Sequence, residues 1–206
     1  GRVLGLDYSQ VNPNAVQDGI ASQLQGWPVM HPLSGVCGPA GGQCIPNPSV
    51  LRFDDIAALN RIYPITAQNL PSFPGKQLTA ANTISIQGTV AFRTGVGMQG
   101  FNVVACPLDS SGNPLYQYTV TAVSGALYSG NHGNPATGWN DSTGTPYSQW
   151  GSTDPALQGA FDLSGLPLPP GMTTANYQLT FESVNPLYIL TDAVGPYAAD
   201  QVAPSG

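Results

Sequence analysis

The sequence contains little charge of either sign. Only 8% of its 206 residues are charged, Lys76 is its single lysine, and the net charge is -6. A surface that binds nucleic acid needs clustered lysine and arginine to contact the phosphates. We therefore expect no nucleic-acid partner.

Long hydrophobic runs are also missing. No apolar run approaches the roughly 18 residues that a membrane-spanning helix requires, and the first residues lack the basic and apolar segments of a signal peptide. We expect no membrane span, and any export signal would precede Gly1. The neutral polar composition, with 25 glycines and 20 prolines, favours a secreted bacterial protein that is extracellular or attached to the cell surface.

Histidine and cysteine are scarce, so few metal sites are available. The two histidines, His31 and His132, share no metal-ligand spacing. Cys37 and Cys44 enclose the loop CGPAGGQC, which predicts a disulfide and hence an oxidising compartment. Cys106 lies in the strand-like run FNVVACPL, which predicts a buried free thiol rather than a nucleophile.

The periodicity of the sequence changes part-way along the chain. LRFDDIAALNRIYP (51–64) has apolar residues at three- and four-residue spacing and ends in proline, which predicts a helix. After Asn82 the apolar residues alternate, which predicts short antiparallel strands in a β-sandwich. GVGMQG lacks a following helix and predicts a hairpin, and LDSSGNP predicts a turn. The strand predictions cover 84–92, 101–106, 116–123, 160–163, 177–183 and 187–190.

The first part of the chain resembles the end of a matrixin-like catalytic domain of the metzincin metalloproteases. LGLDYS is similar to the end of the zinc motif H-E-x-x-H-x-x-G-x-x-H, WPVMHPLSG to the Met-turn, and LRFDDIAALNRIYP to the closing helix. The resemblance makes Gly5 the turn glycine and Met30 the Met-turn methionine. It puts Arg2 and Tyr8 at the second and third zinc-ligand positions, and the first histidine and the general-base glutamate before Gly1.

This register leaves no competent zinc ligand in the chain. An arginine side chain stays protonated and has no lone pair for zinc, and Tyr8 alone does not make a site. We therefore expect no catalytic residue, no bound zinc and no protease activity, unless the residues before Gly1 complete an intact motif.

The second part of the chain resembles carboxypeptidase regulatory-like or transthyretin-like β-sandwich modules. The matching segments are ISIQGTV, GFNVVA, GAFDLSGLPLPPG and NYQLTFE. The resemblance implies an antiparallel, immunoglobulin-like sandwich without catalytic residues. The expected fold class is α+β, with a metzincin-like remnant over 1–65, a linker over 66–82 and a sandwich over 83–206.

Three functions fit these observations. The first is a secreted, non-catalytic relative of a metzincin with a binding or scaffold role, whose partner is an extracellular protein, a peptide or a glycan. Trp139, Tyr147 and Trp150, in a loop-like stretch, are its candidate binding residues, and the bland alternative is that they cap the open end of the sandwich. The second is a fragment of an active zinc endopeptidase. The third is a self-assembling subunit of an extracellular fibre or surface layer, built through exposed strand edges.

Overall fold

The computed structural model describes residues 2–4, 6, 23–30, 50–98, 101–125 and 155–182. Within these ranges it contains three α-helices, five strands and four short 3-10 helices. The α-helices are α1 (Phe53–Ile62), α2 (Thr79–Asn82) and α3 (Pro155–Gln158), and the strands are β1 (Thr83–Thr89), β2 (Asn102–Leu108), β3 (Val120–Val123), β4 (Ala160–Pro167) and β5 (Asn176–Glu182). The 3-10 helices are Arg2–Leu4, Gln23–Gly26, Leu70–Ser72 and Tyr116–Tyr118.

The strands form antiparallel sheets, so the chain has mixed helix and strand with few helices, as the expected α+β class requires. One described sheet has two strands in the order β1-β4, and the other has three in the order β3-β2-β5. Contacts within the chain cluster into two compact units. The first comprises Gly1–Ile86, Val104–Thr121 and Leu163–Thr180, and the second Gln87–Val103, Ala122–Asp162 and Phe181–Gly206.

The first unit contains α1 and most of the buried apolar side chains. The helix predicted over 51–64 is confirmed: α1 begins after Arg52 and ends before Pro64, and its amphipathic face buries Ala57. An amphipathic helix of ten residues is stable only when its apolar face is packed, so α1 depends on the core that surrounds it. That core includes Leu24, Trp27, Val104, Ala105, Val120, Leu163 and Leu166.

The second unit contains the predicted glycine-rich hairpin. Ala91 and Gly97 form an antiparallel bridge, and the Phe92 N–H donates to the Val96 carbonyl at 2.8 Å, which confirms the hairpin. The predicted turn at LDSSGNP, in the first unit, is also confirmed by the Asp109 N–H, which donates to the Asn113 carbonyl at 2.9 Å.

The ring of Phe161 occupies the space that a side chain at position 88 would need, so the packing requires glycine there. A Cβ atom at Gly88 would lie 2.7 Å from Phe161 Cζ, which is far inside van der Waals contact. Phe161 is buried. The glycine in ISIQGTV and the phenylalanine in GAFDLSG therefore form one packing contact.

One prediction of local structure is wrong in detail. The strand predicted over 116–123 is a 3-10 helix, Tyr116–Tyr118, followed by β3. In this conformation the Tyr118 ring packs against Phe53 of α1, with 4.5 Å between centroids and 52° between the ring planes. Near the N-terminus, Arg2–Leu4 form a 3-10 helix.

Candidate functional site

The first turn of α1 carries two buried carboxylates, Asp54 and Asp55. Acidic residues are favourable there because the helix dipole places partial positive charge at this end. An exposed carboxylate would gain the same stabilisation from the helix dipole, so the dipole does not explain why Asp54 and Asp55 are buried. Their burial is explained by hydrogen bonds, because each carboxylate accepts N–H groups from a distant segment of the first unit.

Asp55 connects α1 to the turn that contains Met30. Its Oδ2 accepts the N–H groups of Arg52 at 2.9 Å and of Val29 at 3.0 Å, and its Oδ1 accepts the Met30 N–H at 3.1 Å. Hydrogen bonds to an ionised acceptor are stronger than bonds between neutral groups. Trp27, just before the turn, is almost completely buried.

Asp54 connects the same helical turn to β3. Its Oδ1 accepts the Thr121 N–H at 2.7 Å and the Thr121 hydroxyl at 3.3 Å, across 67 positions of sequence. Successive carboxylates on α1 therefore hold two segments that are distant in sequence, one N-terminal to the helix and one far C-terminal to it.

The other end of α1 lies directly against β4. Asn60 Nδ2 donates to the Gly165 carbonyl at 2.9 Å. Gly165 has a φ of 74°, and a Cβ there would be 2.9 Å from both the Ala57 carbonyl oxygen and Asn60 Cβ. Only glycine combines this left-handed conformation with so close an approach.

A groove of about 560 Å³ opens beside this contact, within the first unit. Its volume lies in the range of small-molecule pockets, about 300–1,000 Å³. The surface that its walls expose is mostly apolar, and Arg61 is the charged residue among the lining residues. The apolar lining residues are Pro64, Ile65, Ala67, Leu78, Ala80 and Ile84, and the neutral polar ones are Asn60, Thr66, Thr79, Thr83, Ser85 and Ser164.

Hydrogen bonds within the groove fix its shape. The Ile65 N–H donates to Thr79 Oγ1 at 2.7 Å, and the Thr83 hydroxyl donates to the Thr79 carbonyl at 2.9 Å. These bonds connect the segment after α1 to α2 and to the beginning of β1. The walls that face the groove are thus held by the fold before any ligand arrives.

Of the residues that the sequence singled out, the structure places Met30 in the turn bonded to Asp55 and the backbone of Arg2 in a 3-10 helix. The remaining ones lie outside the described residues: Gly5, Tyr8, His31, Cys37, Cys44, His132, Trp139, Tyr147 and Trp150. The predicted disulfide between Cys37 and Cys44 therefore stays a prediction.

Local sequence patterns do not predict the groove or the roles of Asp54, Asp55 and Asn60. The acidic pair in FDDI did indicate backbone hydrogen bonding, because carboxylates in the first turn of a helix often accept backbone N–H groups. The groove carried no comparable signal. Its walls come from separate stretches of sequence.

Cys106 is a free thiol and is buried, as predicted. Burial raises the pKa of this thiol, and hydrogen bonds with Thr119 and Leu115 only partly oppose that effect. A buried thiol with a raised pKa is a poor nucleophile at neutral pH.

Zinc is the metal that the resemblance implies, and the residues that the structure describes do not fit it. No three His, Cys, Asp or Glu side chains among them come together to hold a metal ion, and a guanidinium at position 2 has no lone pair to donate.

In the described ranges of the chain, no helix is long and apolar enough to cross a membrane. Comparison with protein-family models, with curated proteins and with solved structures gives no match for this chain.

Proposed function

We propose that the chain is a secreted, non-catalytic relative of matrixin-like metalloproteases, joined to a transthyretin-like β-sandwich, and that it acts by binding or as a scaffold. The single observation that carries the proposal is the bond between Asp55 and the Met30 turn. WPVM and FDDI resemble two matrixin segments, and their contact supports a common origin better than two separate sequence matches do.

The proposed lack of catalytic activity rests on LGLDYS, the segment that resembles the end of the zinc motif. In the register of LGLDYS, Arg2 and Tyr8 occupy ligand positions. Neither restores a three-histidine zinc site. A protein that keeps the Met-turn-like contact but has lost the ligands retains the packing of the fold without its chemistry.

The β-sandwich proposal is supported by the pairing of two of its four sequence segments. ISIQGTV contributes β1 and GAFDLSGLP contributes β4, and these strands are neighbours. The glycines at positions 88 and 165 of these segments are both required by close approaches. In this proposal the sandwich segments also pack against α1, through the bond between Asn60 and Gly165.

The experiment is a metal and peptidase assay on the chain expressed with the sequence that precedes Gly1 in its gene. We expect zinc well below one equivalent by mass spectrometry and no cleavage of a quenched fluorescent peptide library. The double variant Arg2→His and Tyr8→His is assayed beside the wild-type protein, because it restores histidine at the second and third zinc-ligand positions. Stoichiometric zinc in the wild-type protein, together with chelator-sensitive turnover, would show an active endopeptidase and overturn the proposal.

A further inference from the structure

We propose that the peptide bond between Lys76 and Gln77 is a site of proteolytic modification, which an endopeptidase of the trypsin class cuts to give two chains that stay together. One water molecule adds across the C–N bond. Its oxygen goes to the carbonyl carbon of Lys76 and both of its protons go to the nitrogen of Gln77, so the products are a carboxylate and an ammonium group. This modification is independent of the binding or scaffold role proposed above.

The bond lies in a surface loop between α1 and α2 whose two ends are bonded to each other. The Thr79 N–H donates to the Ile65 carbonyl at 2.9 Å, and the Ile65 N–H donates to Thr79 Oγ1 at 2.7 Å. The loop over 66–78 is therefore closed at its base, in the manner of an Ω-loop. Exposed loop tips are the preferred places for proteases to cut folded proteins.

The hydrogen bonds that the structure describes inside this loop are short-range. The Phe73 N–H donates to the Leu70 carbonyl at 2.9 Å, and the Lys76 N–H donates to the Phe73 carbonyl at 3.1 Å. All residues over 71–77 are exposed, Phe73 among them. A segment with exposed backbone bonds and little buried surface opens at a low free energy and without unfolding of the rest. The loop can therefore straighten into the extended conformation that a protease binds.

The residues around the bond suit an enzyme of this class. Lys76 is the single lysine of the chain and is exposed, so its side chain can enter a negatively charged specificity pocket. Gly75, just before it, has a φ of 78° and no atom within 4 Å of an added Cβ, and glycine can leave this turn conformation at little cost. The residue after the bond is Gln77 rather than proline, whose ring and missing N–H would hinder cleavage.

The other basic residues lie where the same enzyme would have to break regular structure. They are Arg2, Arg52, Arg61 and Arg93. Arg2 lies in a 3-10 helix. The Arg52 N–H donates to Asp55 Oδ2 at 2.9 Å, and Arg61 lies within α1. Arg93 is exposed, but it lies in the hairpin that the bridge and the backbone bond described above hold closed.

The two chains that the cut produces remain joined through the packing of the first unit, to which both sides of the bond belong. Asn60 Nδ2 donates to the Gly165 carbonyl at 2.9 Å, and the Thr121 N–H donates to Asp54 Oδ1 at 2.7 Å. Both bonds connect the part of the chain before Lys76 to the part after it. Cleavage therefore removes a covalent link but no part of the core.

The test is limited digestion of the folded chain with trypsin, followed over time by intact mass spectrometry. We expect the first products to be 1–76 and 77–206, formed at least about tenfold faster than any product of cleavage at an arginine, because the loop opens at a lower free energy than α1 or the hairpin. The two products should elute together from a size-exclusion column and separate in denaturant. Digestion in denaturant, where every basic residue is accessible, gives the order of the cuts in the unfolded chain for comparison.

Two variants locate the cut. Lys76→Gln removes the recognised charge at an exposed position, so the first cut of the folded chain should be at least about tenfold slower than in the wild-type protein. Arg93→Gln, an equivalent substitution at an exposed position of the hairpin, is the matched control and should be cut at the wild-type rate. Circular dichroism of both variants checks that they are folded.

Four results would overturn the inference. They are a first cut at an arginine, a folded chain that stays intact while the denatured chain is digested, equal rates for Lys76→Gln and the wild-type protein, and separation of the two products without denaturant. The wild-type time course decides the first two without any variant. The zinc and peptidase assay tests the proposed function independently of these outcomes.

Discussion

The Met30 N–H donates to Asp55 Oδ1 at 3.1 Å across 25 positions of sequence. The same carboxylate also accepts the N–H groups of Val29 and Arg52, so three backbone donors converge on one buried side chain. An anion is stable in such a site because the donors replace the water that burial removes. Asp55 is thus the residue on which both the start of α1 and the Met30 turn depend.

Asp55→Asn tests this dependence. The substitution keeps the size of the side chain but turns one acceptor oxygen into an NH₂ donor that faces backbone N–H groups. We expect the free energy of unfolding, measured with urea, to fall by about 2–3 kcal/mol.

Asp109→Asn is the matched control for that prediction. Asp109 also accepts backbone N–H groups, from Ser111 and Asn113, but it does so in an exposed turn where water can take over. We expect little change in stability. Similar losses for the two variants would contradict the proposed importance of burial at Asp55.

Gly165→Ala tests the contact between α1 and β4. Alanine is disfavoured at a φ of 74° by about 1–2 kcal/mol, and its Cβ would also press on the Ala57 carbonyl and on Asn60. Gly171→Ala is an unusually close control, since Gly171 has a φ of 81° but no atom within 4 Å of the added Cβ. We expect Gly165→Ala to lower the free energy of unfolding by at least about 1 kcal/mol more than Gly171→Ala, and equal effects would contradict the close approach.

Gly88→Ala tests the packing of Phe161. The new methyl group would overlap the ring, so we expect a loss of about 1–3 kcal/mol in the free energy of unfolding. Phe161→Leu provides room for that methyl group. In a double-mutant cycle it should therefore cost less stability in the Gly88→Ala background than in the wild-type protein. Additive effects would show that the two positions do not share this space.

The parts of the fold that local patterns specify could be predicted from the sequence. The spacing of apolar residues and Pro64 located both ends of α1 to within two residues, and alternation located β1, β2 and β5 to within a few residues. β2 shows the limit of this reasoning, because its residues from Asn102 to Pro107 are all buried and alternation no longer distinguishes two faces.

The parts that depend on contacts between distant segments could not be predicted. Tyr116 and Tyr118 have strand-like spacing but lie in a 3-10 helix, from which Tyr118 packs on Phe53 of α1. The bond between Asp54 and Thr121 joins residues 67 positions apart, and nothing near either residue in the sequence indicates its partner. The groove has the same origin, because α1, the segment after it, α2, β1 and β4 each contribute only part of its wall.

Tyr177 and Cys106 lead to a prediction about alkaline pH. Burial, and to a smaller extent the nearby Cys106 thiolate, raises the pKa of Tyr177 from 10.0 to about 12. The folded protein therefore holds the phenolic proton at pH values where the unfolded chain has released it. This stabilisation is fully present below pH 10.0 and is lost as the pH rises towards about 12.

A spectroscopic titration measures that pKa directly. The chain has nine tyrosines, so the tyrosinate absorbance of Tyr177 must be taken as the difference between the wild-type protein and Tyr177→Phe. We expect the difference to titrate near pH 12, and the midpoint to fall in Cys106→Ala because the neighbouring negative charge is removed. Alkaline destabilisation should be smaller in Tyr177→Phe than in the wild-type protein. A difference that titrates near 10.0, the ordinary value, would mean that Tyr177 is accessible to water in the folded chain.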